Sequence, residues 1–203
     1  MSNTAARTIF RDLIDQMIPH DAVEASHRQA VLDWVDSGDP LYRTHKPATP
    51  PQHLAVYAVP FDEESRSVLL VEHTLAGLWL NPGGHPEVDE DPRQCARREL
   101  DEELQITPDF HPDLGDAPLF LTVTPTRGPN SHIDVTTWHV LACNRDILLT
   151  PDLREFTRTV WVSIDEQDSW PAGGYDPAFR RFLAKLSSRL AHPTGPNSDA
   201  LAG

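Results

Sequence analysis

The sequence feature that most constrains the fold is the segment 84–106, which reads GHPEVDEDPRQCARRELDEELQI. Asp91 is a favoured helix N-cap residue, and Pro92 fits the first helical position because no backbone N–H is needed there. The spacing therefore predicts a helix over 92–104. At about 100° per residue, the apolar positions of this helix fall on one stripe that consists of Ala96, Leu100 and Leu104.

Three glutamates form an acidic arc beside this stripe: Glu99, Glu102 and Glu103. Like charges one helical turn apart repel each other even in water, and the cost grows at the edge of a core. A bound cation with oxygen ligands would relieve this repulsion. Magnesium or manganese fits such a ligand set better than zinc, because no cluster of histidine and cysteine is recognised in the sequence.

A glycine turn precedes the helix, and an arginine lies on it. The turn NPGG at 81–84 contains glycines that let the backbone approach a ligand closely. Arg98 lies four residues before Glu102, so it can pair with that carboxylate and fix its rotamer. A metal beside a glycine turn favours phosphate chemistry.

The segment resembles the Nudix box, G-x5-E-x7-R-E-U-x-E-E-x-G-U, in which U is apolar. The matching positions are Gly84, Glu90, Arg98, Glu99, Leu100, Glu102, Glu103 and Ile106. Gln105 stands where the family has glycine, and we expect this change to cost local stability or to shift the helix C-cap. The resemblance implies the fold class α/β (α+β), with a Nudix-like α/β/α sandwich and a mixed sheet over about 54–190.

The resemblance also implies roles for these residues. Glu99 and Glu103 would be the principal ligands of Mg²⁺ (or Mn²⁺), and Glu102 would be a further ligand or the catalytic base. The backbone carbonyl of Gly84 would contribute to the metal site. Two residues would support the ligands: Glu90 and Arg98. The implied reaction is attack by water on one phosphorus of a diphosphate linkage.

Further candidates lie outside the helix. Glu155 precedes a predicted strand, where some Nudix hydrolases place a metal-binding or basic glutamate, and the alternative is an exposed loop charge. His85 follows the double glycine and either faces the phosphates or caps the turn. Arg127 could hold a phosphate or a ribose. His132 is interpreted as a strand-edge residue rather than a ligand.

The remaining candidates are weaker. Asp134 and Glu166 are possible metal or base residues, and Cys95 is interpreted as a small packed residue rather than a nucleophile. Three tryptophans are expected in the core, with base stacking as the alternative: Trp79, Trp138 and Trp161.

Hydrophobic periodicity predicts the other elements. Helices are predicted over 8–18, 22–35 and 177–190, and strands over 54–61, 67–72, 78–80, 119–124, 132–143 and 158–164. We expect an N-terminal helical extension and linker over 1–48, which packs on the main domain or on a partner subunit. A Nudix hydrolase domain would follow over 49–190, and a disordered tail over 191–203.

Composition limits the class of protein. The formal net charge of −14 argues against a nucleic-acid polymer or a membrane surface as partner. Two cysteines, without a signal peptide or a membrane span, favour a cytoplasmic location. The expected partner is a small diphosphate or nucleotide substrate, and a homodimer is an open alternative.

The preferred prediction is a magnesium-dependent Nudix pyrophosphohydrolase that cleaves a diphosphate linkage in a nucleotide or nucleoside diphosphate derivative. One alternative is a non-catalytic, nucleotide-sensing Nudix domain. Another is isopentenyl-diphosphate isomerase, which shares the fold but requires a catalytic cysteine and a histidine-rich metal site. The turn NPGG offers no such cysteine. The substrate depends on loops outside the box, and no subfamily signature identifies it.

Overall fold

The computed structural model describes residues 3–46, 48–126 and 131–192. The helices of this part are α1 (Asn3–Asp15), α2 (Ala22–Ser37), α3 (Pro92–Leu104) and α4 (Phe179–Ala191), with a short 3₁₀ helix at Gln167–Ser169. The strands are β1 (Gln52–Asp62), β2 (Ser67–His73), β3 (Leu78–Leu80), β4 (Gly83–Gly84), β5 (Phe120–Pro125), β6 (Ile133–Ala142), β7 (Phe156–Ser163) and β8 (Gly174–Tyr175).

All the strands belong to one mixed sheet. Its main path is β5-β6-β1-β2-β3-β8, with β4 paired to β1 and β7 paired to β2. Strand β1 runs parallel to β6 over ten residue pairs, from Gln52 opposite Ile133 to Phe61 opposite Ala142. It is also antiparallel to β2 and β4. β1 is therefore the central strand from which the site is built.

Helices cover both faces of the sheet. The apolar stripe of α3 packs with Val56 and Ala58 of β1 on one face. Phe179 and Phe182 of α4 pack with Trp138 of β6 on the other. Because β1 is covered on both faces, nearly all of its residues are buried, as expected for a central strand. The predicted α/β/α sandwich with a mixed sheet is confirmed.

The two N-terminal helices pack on the same chain. Phe10, Ile14 and Val35 share a cluster with Leu54 of β1 and Leu121 of β5. A buried ion pair reinforces this contact: Lys185 Nζ of α4 donates to Glu24 Oε1 of α2 at 2.8 Å. The extension is thus joined to the sheet by apolar contacts and to α4 by an ion pair.

Most predicted boundaries agree with the structure, and the differences occur at element ends. α1 begins and ends earlier than the predicted 8–18, while α4 begins two residues later than predicted. The two-residue strands β4 and β8 are too short to show a period in the sequence. For the tail predicted over 191–203, residues 193–203 lie outside the described part. None of the described helices combines the length and apolar character that a bilayer crossing requires.

Candidate active site

Capping residues define both ends of helix α3. Asp91 is the N-cap, and its carboxylate accepts a hydrogen bond from the Arg93 N–H at 2.9 Å. At the other end Gln105 adopts the left-handed conformation, with φ 56° and ψ 41°. Its N–H donates to Asp101 O at 3.1 Å, and the Ile106 N–H donates to Leu100 O at 3.3 Å. The C-cap is therefore not shifted, and Gln105 takes the conformation that glycine adopts more easily.

The glycine turn fits tightly between β1 and α3. Gly83 has a φ of 150°, and a Cβ atom there would lie 2.0 Å from Val56 O. A Cβ on Gly84 would lie 2.5 Å from Glu99 Oε1. Gly83 therefore needs glycine, because its backbone has a positive φ and lies against the backbone of β1, whereas a side chain at position 84 would displace the Glu99 carboxylate.

The acidic arc of α3 divides into two buried members and one exposed member. Glu99 and Glu103 are 9% and 5% exposed, whereas the Glu102 side chain is 59% exposed. Burial and then the charge of Glu99 raise the pKa of Glu103 to about 9, although its carboxylate accepts a hydrogen bond from the Gly83 N–H at 3.0 Å. Burial also raises the pKa of Glu99. Two buried carboxylates that resist ionisation are a suitable place for a divalent cation.

Arg98 connects the box carboxylates. Its Nε and one terminal nitrogen donate to both oxygens of Glu90 at 2.9 Å each. Its other terminal nitrogen donates to Glu99 Oε1 at 2.8 Å and to Glu102 Oε2 at 3.0 Å. The predicted contact between Arg98 and Glu102 is thus present, and one guanidinium fixes the positions of three carboxylates.

Glu155 lies in an exposed loop that contacts the end of α3. The Asp152 N–H donates to the Glu103 carbonyl at 2.8 Å, and the Glu155 N–H donates to the Asp152 carbonyl at 3.0 Å. The charge of Glu155 contributes to the raised pKa of Glu103. The loop therefore brings Glu155 into the neighbourhood of the box, and its catalytic role remains a prediction.

A cluster of histidines lies next to the box, and sequence reasoning missed it. Its members are His53, His85, His132 and Asp134, whose ligand atoms lie within 4.8 Å of one another. The sequence pattern predicts no cluster of histidine and cysteine, and for histidine this prediction is wrong. The sequence pattern gives no reason to single out His53, and His132 lies directly before β6, where it belongs to this cluster. Their proximity comes from the parallel pairing of β1 with β6, which places His53 opposite Asp134 and leaves no local signal in the sequence.

The remaining candidate residues lie in the core, in a loop, or outside the described residues. Cys95 is buried, burial raises the pKa of its thiol, and its sulfur lies 3.9 Å from Glu99 Oε1, as a packed residue would. Trp79 and Trp138 are buried and Trp161 is partly buried in the core clusters. Glu166 precedes the 3₁₀ helix. Arg127 lies outside the described residues.

Comparison with known proteins agrees with this geometry. The family model of the NUDIX domain matches residues 51–186, which is more than half of the chain. No curated protein matches the chain.

Among solved structures, the chain is similar to the MutT protein of Methanosarcina mazei, at 20% identity, with 69% of this chain and 96% of that chain covered and a TM-score of 0.52. It is similar to the NUDIX domain of Shewanella oneidensis NrtR, solved with ADP ribose, at 20% identity, with 78% and 97% covered and a TM-score of 0.53. It is also similar to the dihydroneopterin triphosphate pyrophosphohydrolase of E. coli, at 15% identity, with 73% and 97% covered and a TM-score of 0.52. The solved structures agree in fold, the family model covers the box, and this chain belongs to the Nudix family.

Proposed function

We propose that this chain is a magnesium-dependent hydrolase that cleaves a diphosphate linkage in a nucleotide or a nucleoside diphosphate derivative, with manganese as a substitute. The observation that carries the proposal is the pair of buried carboxylates, Glu99 and Glu103, packed against the glycine turn. Oxygen ligands in this number and setting favour a hard divalent cation.

The box residues would have distinct roles in binding the metal and in positioning its ligands. Glu99 and Glu103 would hold the metal, with the Gly84 carbonyl as a further ligand. Arg98 holds the carboxylates in place from the side of Glu90. When bound, the metal would lower the pKa of the attacking water and offset charge on the leaving phosphate.

The general base is a choice between two carboxylates. Glu102 is exposed and oriented by Arg98 at 3.0 Å, so it can reach a water molecule above the site. Glu155 is exposed on the adjoining loop. We favour Glu102, because its position is fixed by a hydrogen bond from Arg98. His85 and Arg127 remain proposed contacts to the substrate.

The substrate class is supported by the family alone. One similar structure holds ADP ribose, and another is named for a pterin triphosphate. A cytoplasmic location is supported by two cysteines that form no disulfide. The chain's oligomeric state stays a prediction.

The test is a substrate screen with the purified chain and magnesium. Nucleoside triphosphates, ADP-ribose, NADH, dinucleoside polyphosphates, coenzyme A and isopentenyl diphosphate would be incubated with and without EDTA, and products separated by chromatography. We expect hydrolysis of at least one diphosphate, abolished by EDTA and absent from a matched Glu103→Gln preparation. Tight binding without turnover of any compound would instead support the sensing alternative.

One observation bears on the isomerase alternative. The cluster of three histidines and Asp134 could hold a metal ion, as the histidine-rich site of such an enzyme does. The cysteine is still missing, because Cys95 is buried in α3 and Cys143 follows the far end of β6. We therefore keep hydrolysis as the proposed reaction, and conversion of isopentenyl diphosphate to its isomer in the same screen would overturn it.

A further inference from the structure

Three imidazole rings surround one carboxylate oxygen. Nε2 of His53, His85 and His132 lies 3.5, 3.3 and 3.2 Å from Asp134 Oδ1. The His53 and His132 rings are stacked with centroids 4.7 Å apart, and the His85 ring lies 4.9 Å from that of His53. Side chains from three separate stretches of the chain thus converge on a single point.

Rigid elements hold this arrangement. His53 and Asp134 are register partners in the parallel pair β1–β6. His132 precedes β6 by one residue and, by strand alternation, shares a face with Asp134. His85 directly follows β4, which is paired to β1. Sites built on strands keep their ligands in place better than sites on free loops.

Hydrogen bonds on the far side of the rings decide which nitrogen faces the cluster. His53 Nδ1 lies 2.7 Å from Pro50 O, and since a carbonyl can only accept, Nδ1 carries the proton. The neutral ring then turns an unprotonated Nε2 toward Asp134. His132 Nδ1 lies 3.2 Å from the Thr126 hydroxyl, which can accept a bond in the same way. Metal-ligating histidines are usually held by such an outer hydrogen bond.

A cation between His53 Nε2 and Asp134 Oδ1 would stabilise this arrangement. The buried Nε2 of His53 has no hydrogen-bond partner among the described residues. Its lone pair faces a carboxylate oxygen, and two acceptors without a proton between them repel. A second proton on the ring would place a positive charge on a side chain that is 0% exposed. A metal ion bound by both atoms removes the conflict without charging the ring.

The donor set identifies the class of ion. Imidazole nitrogens suit zinc and neighbouring first-row transition metals, whereas magnesium selects oxygen. Three imidazoles and one carboxylate also match the ligand number of a tetrahedral zinc site. Arg43 lies 3.5 Å from His85 Nε2, and its long, partly exposed side chain can move aside for an ion.

We propose that His53, His85, His132 and Asp134 form a binding site for a divalent transition-metal ion of the zinc class, separate from the box glutamates. The two sites adjoin each other, because Gly84 packs on Glu99 while His85 belongs to the cluster. The proposal does not depend on the proposed hydrolysis.

The test is zinc binding by the full chain. Protein stripped of metal would be titrated with Zn²⁺ against a chromophoric chelator, in excess Mg²⁺ so that the box glutamates are occupied. We expect one Zn²⁺ per chain. His132→Ala and Asp134→Asn should each weaken zinc binding by at least about a hundredfold, the upper end of what losing even an outer partner of a metal site costs. His20→Ala, at an exposed histidine, serves as the matched control.

Cobalt provides an independent readout on the unaltered chain. Co²⁺ bound by three imidazoles in a tetrahedral site should give intense visible bands, and Zn²⁺ should displace it. Glu103→Gln should keep these bands even if it loses hydrolysis, which separates the two proposals. Absence of stoichiometric zinc binding, weak bands of an all-oxygen site, or equal zinc affinity in folded Asp134→Asn would each overturn the histidine site.

Discussion

Gly84 and Glu99 meet so closely that a Cβ atom on the glycine would lie 2.5 Å from the glutamate's Oε1 and 2.8 Å from its Oε2. The two residues are fifteen positions apart in sequence, and at this contact the turn and the helix form one packed unit. Of the two adjacent glycines, only Gly83 has a positive φ. At Gly84 the lack of a side chain matters because it leaves space for the Glu99 carboxylate. The contact therefore fixes where the Glu99 carboxylate can be.

Gly84→Ala tests this contact. The added methyl group would displace the Glu99 carboxylate, so we expect turnover to fall by at least about tenfold, with more Mg²⁺ needed for half-maximal rate. The measurement is a magnesium titration of the substrate found in the screen.

Gly174→Ala is the matched control, because its Cβ would also meet a side chain at 2.5 Å, but that side chain is Leu78, which offers no ligand atom. It should lower stability and leave the magnesium dependence unchanged. An unchanged magnesium dependence in Gly84→Ala would refute the role of the contact.

Glu102→Gln and Glu103→Gln should each lower turnover by at least about a hundredfold, the scale of losing a positioned acid–base or metal group. For Glu103→Gln, the free energy of unfolding without metal should rise at neutral pH, because glutamine removes a carboxyl whose pKa the fold raises to about 9, and its amide oxygen can still accept the bond from the Gly83 N–H. Asp101→Asn, an exposed position on α3, is the control. Rates like those of the unaltered chain in both variants would contradict the metal assignment of the arc.

Arg98→Lys tests a positioning role. Lysine keeps the charge but cannot donate to Glu90 from two nitrogens while also contacting Glu99 and Glu102. We expect turnover to fall by about tenfold to a hundredfold, with weaker Mg²⁺ affinity. A purely structural role would lower the free energy of unfolding without changing the magnesium titration, so both are to be measured.

Local signals were sufficient for the box and its helix. α3 begins at Pro92 and ends at Leu104 as predicted, because the residues that cap it directly precede and follow it in the sequence. At about 100° per residue, Glu103, Glu99 and Glu102 lie at roughly −60°, −100° and −160° from Leu100. Glu103 is therefore nearest the apolar stripe and Glu102 farthest from it, which agrees with their burial and exposure. Both results depend on interactions within a few residues.

The histidine cluster could not be predicted in this way. His53 and Asp134 are brought together by the pairing of two strands distant in sequence, and nothing local indicates that β1 is parallel to β6 rather than antiparallel. The four-residue histidine cluster becomes visible only when the register is known. The same reason explains why the sequence predicts only a turn at 81–84, where the structure has the two-residue strand β4.

Gln105→Gly tests the departure from the box. Gln105 has a φ of 56°, a conformation that costs a non-glycine residue about 1–2 kcal/mol. Glycine would remove this cost, but its greater conformational freedom in the unfolded chain offsets part of the benefit. We therefore expect the free energy of unfolding to rise by about 1 kcal/mol. Urea denaturation is the measurement. Gln94→Gly, at an exposed position within α3, should instead lower stability by about 1 kcal/mol.

His139 should make stability depend on pH. Burial lowers its pKa to about 4, and its ring contacts Asp116 O and the Thr137 hydroxyl at 3.1 Å each. In the unfolded chain the His139 imidazole has a pKa near 6.5, so it binds a proton at pH values at which the folded chain keeps it neutral. The contribution of His139 to stability is therefore complete above about pH 6.5 and is lost as the pH falls toward 4. Between pH 7 and pH 5 we expect a loss of about 2 kcal/mol from this residue. Urea denaturation at both pH values should show a smaller difference in His139→Gln than in the unaltered chain, and His20→Gln should retain the full difference. Equal pH dependence in all three proteins would mean that His139 does not resist protonation in the fold.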